Sequence, residues 1–166
     1  MIRIYSILLV LLAITRPGEA SQSIFDEVGY AAGINPVVLW GIAMQESTRP
    51  GHGPWPWTAN INGKSMYYNT KQDAMAGISA AIKRGDQVDV GLMQVNWNWH
   101  SHEFPSLEYA LDPKMNLIVA TKILARYAHH PTAVAIGKYH CPNWSKAWCK
   151  RRAIQYSNQV LMRLSQ

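Results

Sequence analysis

Three helix starts are written into this chain, and an apolar stripe at helical spacing follows each. Asn35 precedes Pro36, whose missing N–H costs nothing at a first helical position, and the asparagine side chain can cap the first turn. Val38, Leu39, Ile42 and Ala43 then recur on one face. Thr70 and Asp73 make a capping-box-like start before Ala74, Met75, Ile78, Ala81 and Ile82, and Gly85 supplies the stop. Asp112-Pro113 repeats the first pattern ahead of Leu117, Ala120, Leu124 and Tyr127. Such stripes have to be buried against other elements, so the expected fold class is mainly α, an α+β domain built from packed helices.

The remaining stretches fill in this outline. Ser23 to Ala32 reads as a short first helix, with Ser23 as cap and Asp26 and Glu27 in its first turn. A last helix is expected from about Lys146 to Leu164, with Ile154, Val160, Leu161 and Leu164 as its inward side and Lys150-Arg151-Arg152 as a solvated face. Strand-type residues flank Asn62-Gly63, a strong two-residue hairpin signal, so one small β-hairpin is expected between Trp57 and Tyr68. Ahead of it, Pro50, Gly51, Gly53, Pro54 and Pro56 exclude regular structure. No repeat or long linker divides the chain, and residues 21–166 are expected to form one domain.

Residues 1–20 have the layout of a cleavable secretory signal. Arg3 is the basic end, Ile7 to Ile14 is an apolar run, and Gly18-Glu19-Ala20 offers small residues for cleavage after Ala20. The run is well short of the roughly 20 residues that span a bilayer, so no transmembrane anchor is expected to remain. Export implies a periplasmic location. Cys141 and Cys149 then read as one disulfide closing a short loop. Without Arg3, Arg16 and Glu19, the sixteen basic and ten acidic residues become fourteen and nine, a balance that suits an anionic cell wall. Export argues against nucleic acid.

Glu46 is the acid placed for chemistry. It lies four residues after Ile42 and eight after Val38, so it continues the apolar face of the second helix. A carboxyl on such a surface is hard to ionise, and a general acid at neutral pH needs that property. A frayed helix-end glutamate or half of an ion pair is the plainer reading of a lone acid. The other acids, among them Asp73, Asp86, Asp89, Glu103, Glu108 and Asp112, occupy no comparable face, although Asp86 and Asp89 stand close to Gln94.

Three patches occur in order: Glu46-Ser47, then Gly91-Leu92-Met93-Gln94-Val95-Asn96, then Ala135-Ile136-Gly137-Lys138-Tyr139-His140. Together they resemble the soluble lytic transglycosylase domain, a lysozyme-like fold that cleaves peptidoglycan. The resemblance is closest to the small exported enzymes that accompany secretion, conjugation and pilus systems. It implies that Glu46 is the catalytic acid, with Ser47 the hydroxyl beside it. It also implies that Gly91, Met93 and Gln94 line the cleft and contact sugar, and that Tyr139 bonds or orients the carboxyl. Where many members read Ala-Tyr-Asn-Ala-Gly, this chain reads Lys138-Tyr139-His140-Cys141-Pro142.

The implied reaction uses one acid. Glu46 protonates the glycosidic oxygen and then, as carboxylate, takes a proton from the muramic acid C6 hydroxyl, which attacks C1 to leave a 1,6-anhydro end. Trp55, Trp57, Tyr67, Tyr68, Trp97 and Trp99 flank the patches and are candidates for sugar stacking. The expected partners are glycan strands and components of a secretion or pilus apparatus, with the protein acting as a monomer. No cofactor or metal is expected, since His100-Ser101-His102-Glu103 with His129-His130 lacks coordinating spacing. Two other readings stand beside this one. One is a muramidase in which Asp86 or Asp89 activates water; the other is a non-catalytic peptidoglycan-binding assembly factor.

Overall fold

The computed structural model describes residues 17–164. Most of the proposed signal lies outside the described residues. The order is α1 (Pro17–Ala32), α2 (Pro36–Ser47), β1 (Thr48–Arg49), β2 (Gly53–Pro54), β3 (Thr58–Ile61), β4 (Lys64–Tyr67), α3 (Lys71–Lys83), β5 (Val88–Val90) and β6 (Val95–Asn96). Then come α4 (Trp97–His100), a 3-10 turn over Ser101–Glu103, α5 (Leu107–Ala110), α6 (Pro113–Ala125), α7 (Thr132–His140) and α8 (Ala147–Leu164). The molecule is mainly helical with small antiparallel sheets, as the periodicity implied.

The local signals act as their chemistry predicts. Asn35 Oδ1 accepts from Val37 N at 2.9 Å, Thr70 Oγ1 from Asp73 N at 3.1 Å, and Asp112 Oδ1 from Met115 N at 2.8 Å. Asn62 and Gly63 both take positive φ, 51° and 84°, in the turn joining β3 to β4. Leu39, Ile42, Ala74, Ile78, Leu117 and Ala120 are completely buried. Val119 and Ile123 are buried as well, so α6 is enclosed on more than the predicted face and runs through the centre of the core.

Four expectations need correction. The described part of α1 already runs from Pro17, so Ser23 lies inside the helix and not at its start. The proline-rich stretch after Ser47 is not wholly irregular, because β1 and β2 pair there at Thr48↔Pro54 and Arg49↔Gly53. The expected hairpin is part of a four-stranded sheet, ordered β4-β3-β5-β6, because β5 and β6 fold back from α3 onto the free edge of β3. In α8 the buried side is Cys149, Ala153, Tyr156, Ser157 and Val160, whereas Ile154 is 44% and Leu161 38% exposed. The disulfide sets that rotation: Cys149 is bonded to Cys141 just beyond α7 and must face inward.

Two glycines set the helix contacts. A Cβ on Gly137 of α7 would lie 2.8 Å from the Ala153 carbonyl oxygen of α8. One on Gly41 of α2 would lie 2.7 Å from Leu164 Cδ2. α8 therefore packs closely on both α7 and α2, and α2 ends with Glu46 turned toward α8.

Candidate functional site

Glu46 sits in the last turn of α2, half-buried. Burial around the carboxyl pushes its pKa up from 4.5 to about 7, with a smaller push from the negative charge of Asp89. The Tyr156 hydroxyl opposes this by donating to Glu46 Oε1 at 2.6 Å. Burial and the neighbouring Glu46 together hold the Tyr156 phenol well above its usual pKa, so it remains a donor. The result is a carboxyl that exchanges its proton near neutrality while one oxygen is held in place.

The Gly91 to Gln94 patch forms the turn between β5 and β6, where Val90 pairs with Val95. Gly91 adopts φ +79°, and a Cβ there would meet Asn116 Nδ2 at 2.6 Å and the Ala110 carbonyl oxygen at 2.8 Å, so only glycine fits. Gln94 is also at positive φ, and its Nε2 donates to the Gly91 carbonyl at 2.8 Å. Asn116, fully buried on α6, fixes the turn from behind. Its Oδ1 accepts from Met93 N at 2.7 Å, and its Nδ2 donates to the Val90 and Ala110 carbonyls at 2.9 Å each.

Tyr139 joins the patches. It lies near the end of α7, and its hydroxyl donates to the Met93 carbonyl at 2.8 Å. Burial raises its pKa well above the usual phenol value, and the charges of Glu46 and Asp89 add to the rise. Segments distant in sequence therefore meet: the end of α2, the β5–β6 turn, and α7.

The other residues of the three patches are placed as follows. Tyr139 bonds the turn and feels the charge of Glu46, while Tyr156 donates the hydrogen bond to the carboxyl. Ser47 is fully buried and donates to the Ala43 carbonyl at 3.0 Å, so its hydroxyl is spent inside α2. Met93 is likewise completely buried, leaving Gln94 as the half-exposed side chain of the turn. His140 stacks on Tyr156 at 4.5 Å with the rings 5° apart.

Asp86 and Asp89 separate clearly. Asp86 is held by Asn62 and by Arg84, whose Nη2 stands 2.7 Å away, and these bonds keep its carboxyl below the usual range. Asp89 on β5 is half-buried, accepts from Asn96 Nδ2 at 2.7 Å, and is raised by burial. Only Asp89 of the two acts on Glu46. In the histidine cluster, Glu103 is engaged by Arg126 at 2.6 Å, and His100 stands 3.5 Å from it. Among the described residues, no group of three or more His, Cys, Asp or Glu side chains is placed to hold a metal.

The aromatic residues divide too. Trp55 donates through Nε1 to the Tyr68 carbonyl at 2.7 Å, meets Trp57 edge-on at 5.6 Å, and lies beneath the Arg49 guanidinium at 4.7 Å. Tyr67 donates to the Thr48 carbonyl, and Trp97 stacks on Phe104. Trp99 is 75% exposed.

Asn116 and Tyr156 are the site residues that the sequence reading passed over. Both had a signal: a polar side chain on an otherwise apolar helical face must find a partner. No family model, curated protein or solved structure matches this chain.

Proposed function

We propose that this protein is a peptidoglycan lytic transglycosylase of lysozyme-like fold, exported to the periplasm, with Glu46 as its single general acid and base. The observation that carries the reading is Glu46 itself, a half-buried carboxyl raised to about 7 and gripped by a tyrosine beside the β5–β6 turn. A group titrating near neutrality can protonate the glycosidic oxygen and then accept the C6 hydroxyl proton, each step favoured by its environment. Holding the internal nucleophile in place avoids the entropic cost of recruiting water. The exposed part of Gln94, on a turn locked by Gly91 and Asn116, is suited to position the sugar. The Cys141–Cys149 disulfide supports an oxidising compartment, and a wall-opening role for a secretion, conjugation or pilus apparatus rests on the resemblance alone.

Incubating the protein with purified sacculi and weighing the soluble products tests the reading. Anhydromuropeptides from the wild type, and none from a folded Glu46→Gln variant, are the expected result. A muramidase is the second reading, favoured by Asp89, whose buried charge acts on Glu46. Its products would be heavier by one water, and Asp89→Asn would abolish them. No product from the folded wild type would favour a non-catalytic wall-binding factor.

A further inference from the structure

The chain is divided by charge. Asp112 is its last acidic residue, and residues 113–166 contain nine lysines and arginines. Lys114 and Arg126 pair with Glu27 and Glu103, and Arg163 is bonded to Gln45. Among the described residues, no carboxylate pairs with Lys146, Lys150, Arg151 or Arg152, all of them exposed at the start of α8. A helix N-terminus is already positive, so these side chains oppose the helix they stand on. Lys150 also lies over the Trp144 ring, 6.0 Å from its centre.

Exposed apolar side chains share that side of α8. Trp148, Arg151, Arg152 and Gln155 are three or four residues apart and form one stripe. Lys150, Ile154 and Leu161 form the stripe next to it. Trp148 is 51% exposed, Ile154 44% and Leu161 38%. The opposite side of α8 packs through Ala153, Tyr156 and Val160. Basic side chains interleaved with an exposed tryptophan and branched aliphatics give this outer face both charges for lipid phosphates and apolar groups for the interface below them. A hydrated, peptide-bearing glycan has carboxylates on its peptides to meet the basic residues but no use for Ile154 and Leu161.

We propose that the outer face of α8 docks the protein on an anionic phospholipid surface. Lys150, Arg151 and Arg152 meet the phosphate groups, and Trp148 enters the interface beside them. Tyr156, on the inner face of the same helix, is bonded to Glu46, so docking would fix the orientation of the candidate site toward the membrane. The surface is separate from the Glu46 chemistry, and its test does not read activity.

The test is co-sedimentation of the secreted protein with phosphatidylcholine vesicles, plain or with one lipid in three replaced by phosphatidylglycerol. Intact mass confirms the same N-terminus in every variant, and circular dichroism confirms folding. The wild type should bind only the anionic vesicles, and binding should weaken as salt rises. The triple variant Lys150→Gln, Arg151→Gln, Arg152→Gln should bind about a hundredfold more weakly, at roughly fivefold per basic residue. Lys64→Gln with Lys83→Gln, basic residues elsewhere on the surface, should leave binding unchanged, and Trp148→Ala should weaken it. Absence of binding by the wild type, equal binding by the triple variant, or an equal loss in the control pair overturns the proposal. Loss of binding to purified sacculi in the triple variant, when the wild type ignores vesicles, would assign the face to the wall instead.

Discussion

Glu46 and Tyr156 form the pair on which the proposed chemistry turns, and burial raises the pKa of both. Folding raises the Glu46 pKa, so the folded chain binds that proton more tightly than the unfolded one. The stabilising contribution is complete below pH 4.5 and is lost as pH rises through about 7. Glu46→Gln cannot ionise, so it should be more stable than the wild type at pH 8, by up to about 3 kcal/mol, and nearly equal at pH 4. Urea unfolding at the two pH values measures this, and a constant difference would remove Glu46 from its buried setting. Tyr156→Phe removes the bond that favours the carboxylate, so the Glu46 pKa should rise further. Glycan cleavage should then fall roughly 10- to 100-fold, with the alkaline limb of its pH profile shifted upward. An unshifted limb would mean that Tyr156 only fills space.

At the scale of elements, α8 closes the site from one side, and glycines decide how near it comes. Gly137→Ala drives a methyl group against the Ala153 backbone carbonyl, which cannot move without displacing a helix. Its cost should be about 2 to 3 kcal/mol, with cleavage reduced because Tyr156 moves with α8. Gly41→Ala presses first on the Leu164 side chain, near the end of α8, which can turn aside. The alanine also favours the helix by up to about 1 kcal/mol, so the net cost should be small. Chemical denaturation of both variants ranks the two contacts, and the reverse order would show that α8 is anchored through its end. Of these contacts, the sequence revealed only that α8 exists. Its rotation was misjudged because Ile154 and Leu161 look like core residues, while Ala153, Tyr156 and Ser157 do the packing.

For the whole molecule, the disulfide couples the C-terminal helix to the site. Cys141 follows Tyr139 and His140, and Cys149 enters α8 seven residues before Tyr156. The bridge therefore joins the segment that holds the β5–β6 turn to the one that holds the acid. Replacing both cysteines by serine should lower stability by about 2 to 3 kcal/mol, the value for closing so short a loop. Reducing the wild type should lower its melting temperature to that of the double variant, with no effect of reductant on the variant itself. A wild type insensitive to reduction would show that packing alone sets the α7–α8 geometry.

The sequence by itself determined the helices with strong caps, the Asn62-Gly63 turn, the disulfide pair and the acid on an apolar face. Each depends on residues a few positions apart, and for those short-range energies favour one conformation. Tertiary structure decided what distance along the chain conceals: β5 and β6 added to the edge of β3, Asn116 reaching from α6 into the glycine turn, and Tyr156 donating to the Glu46 carboxyl. A half-buried hydrogen bond between residues 110 positions apart leaves no periodic trace. It exists because a hydroxyl and a carboxyl largely removed from water each lose more by staying unpaired than the chain loses by bringing them together.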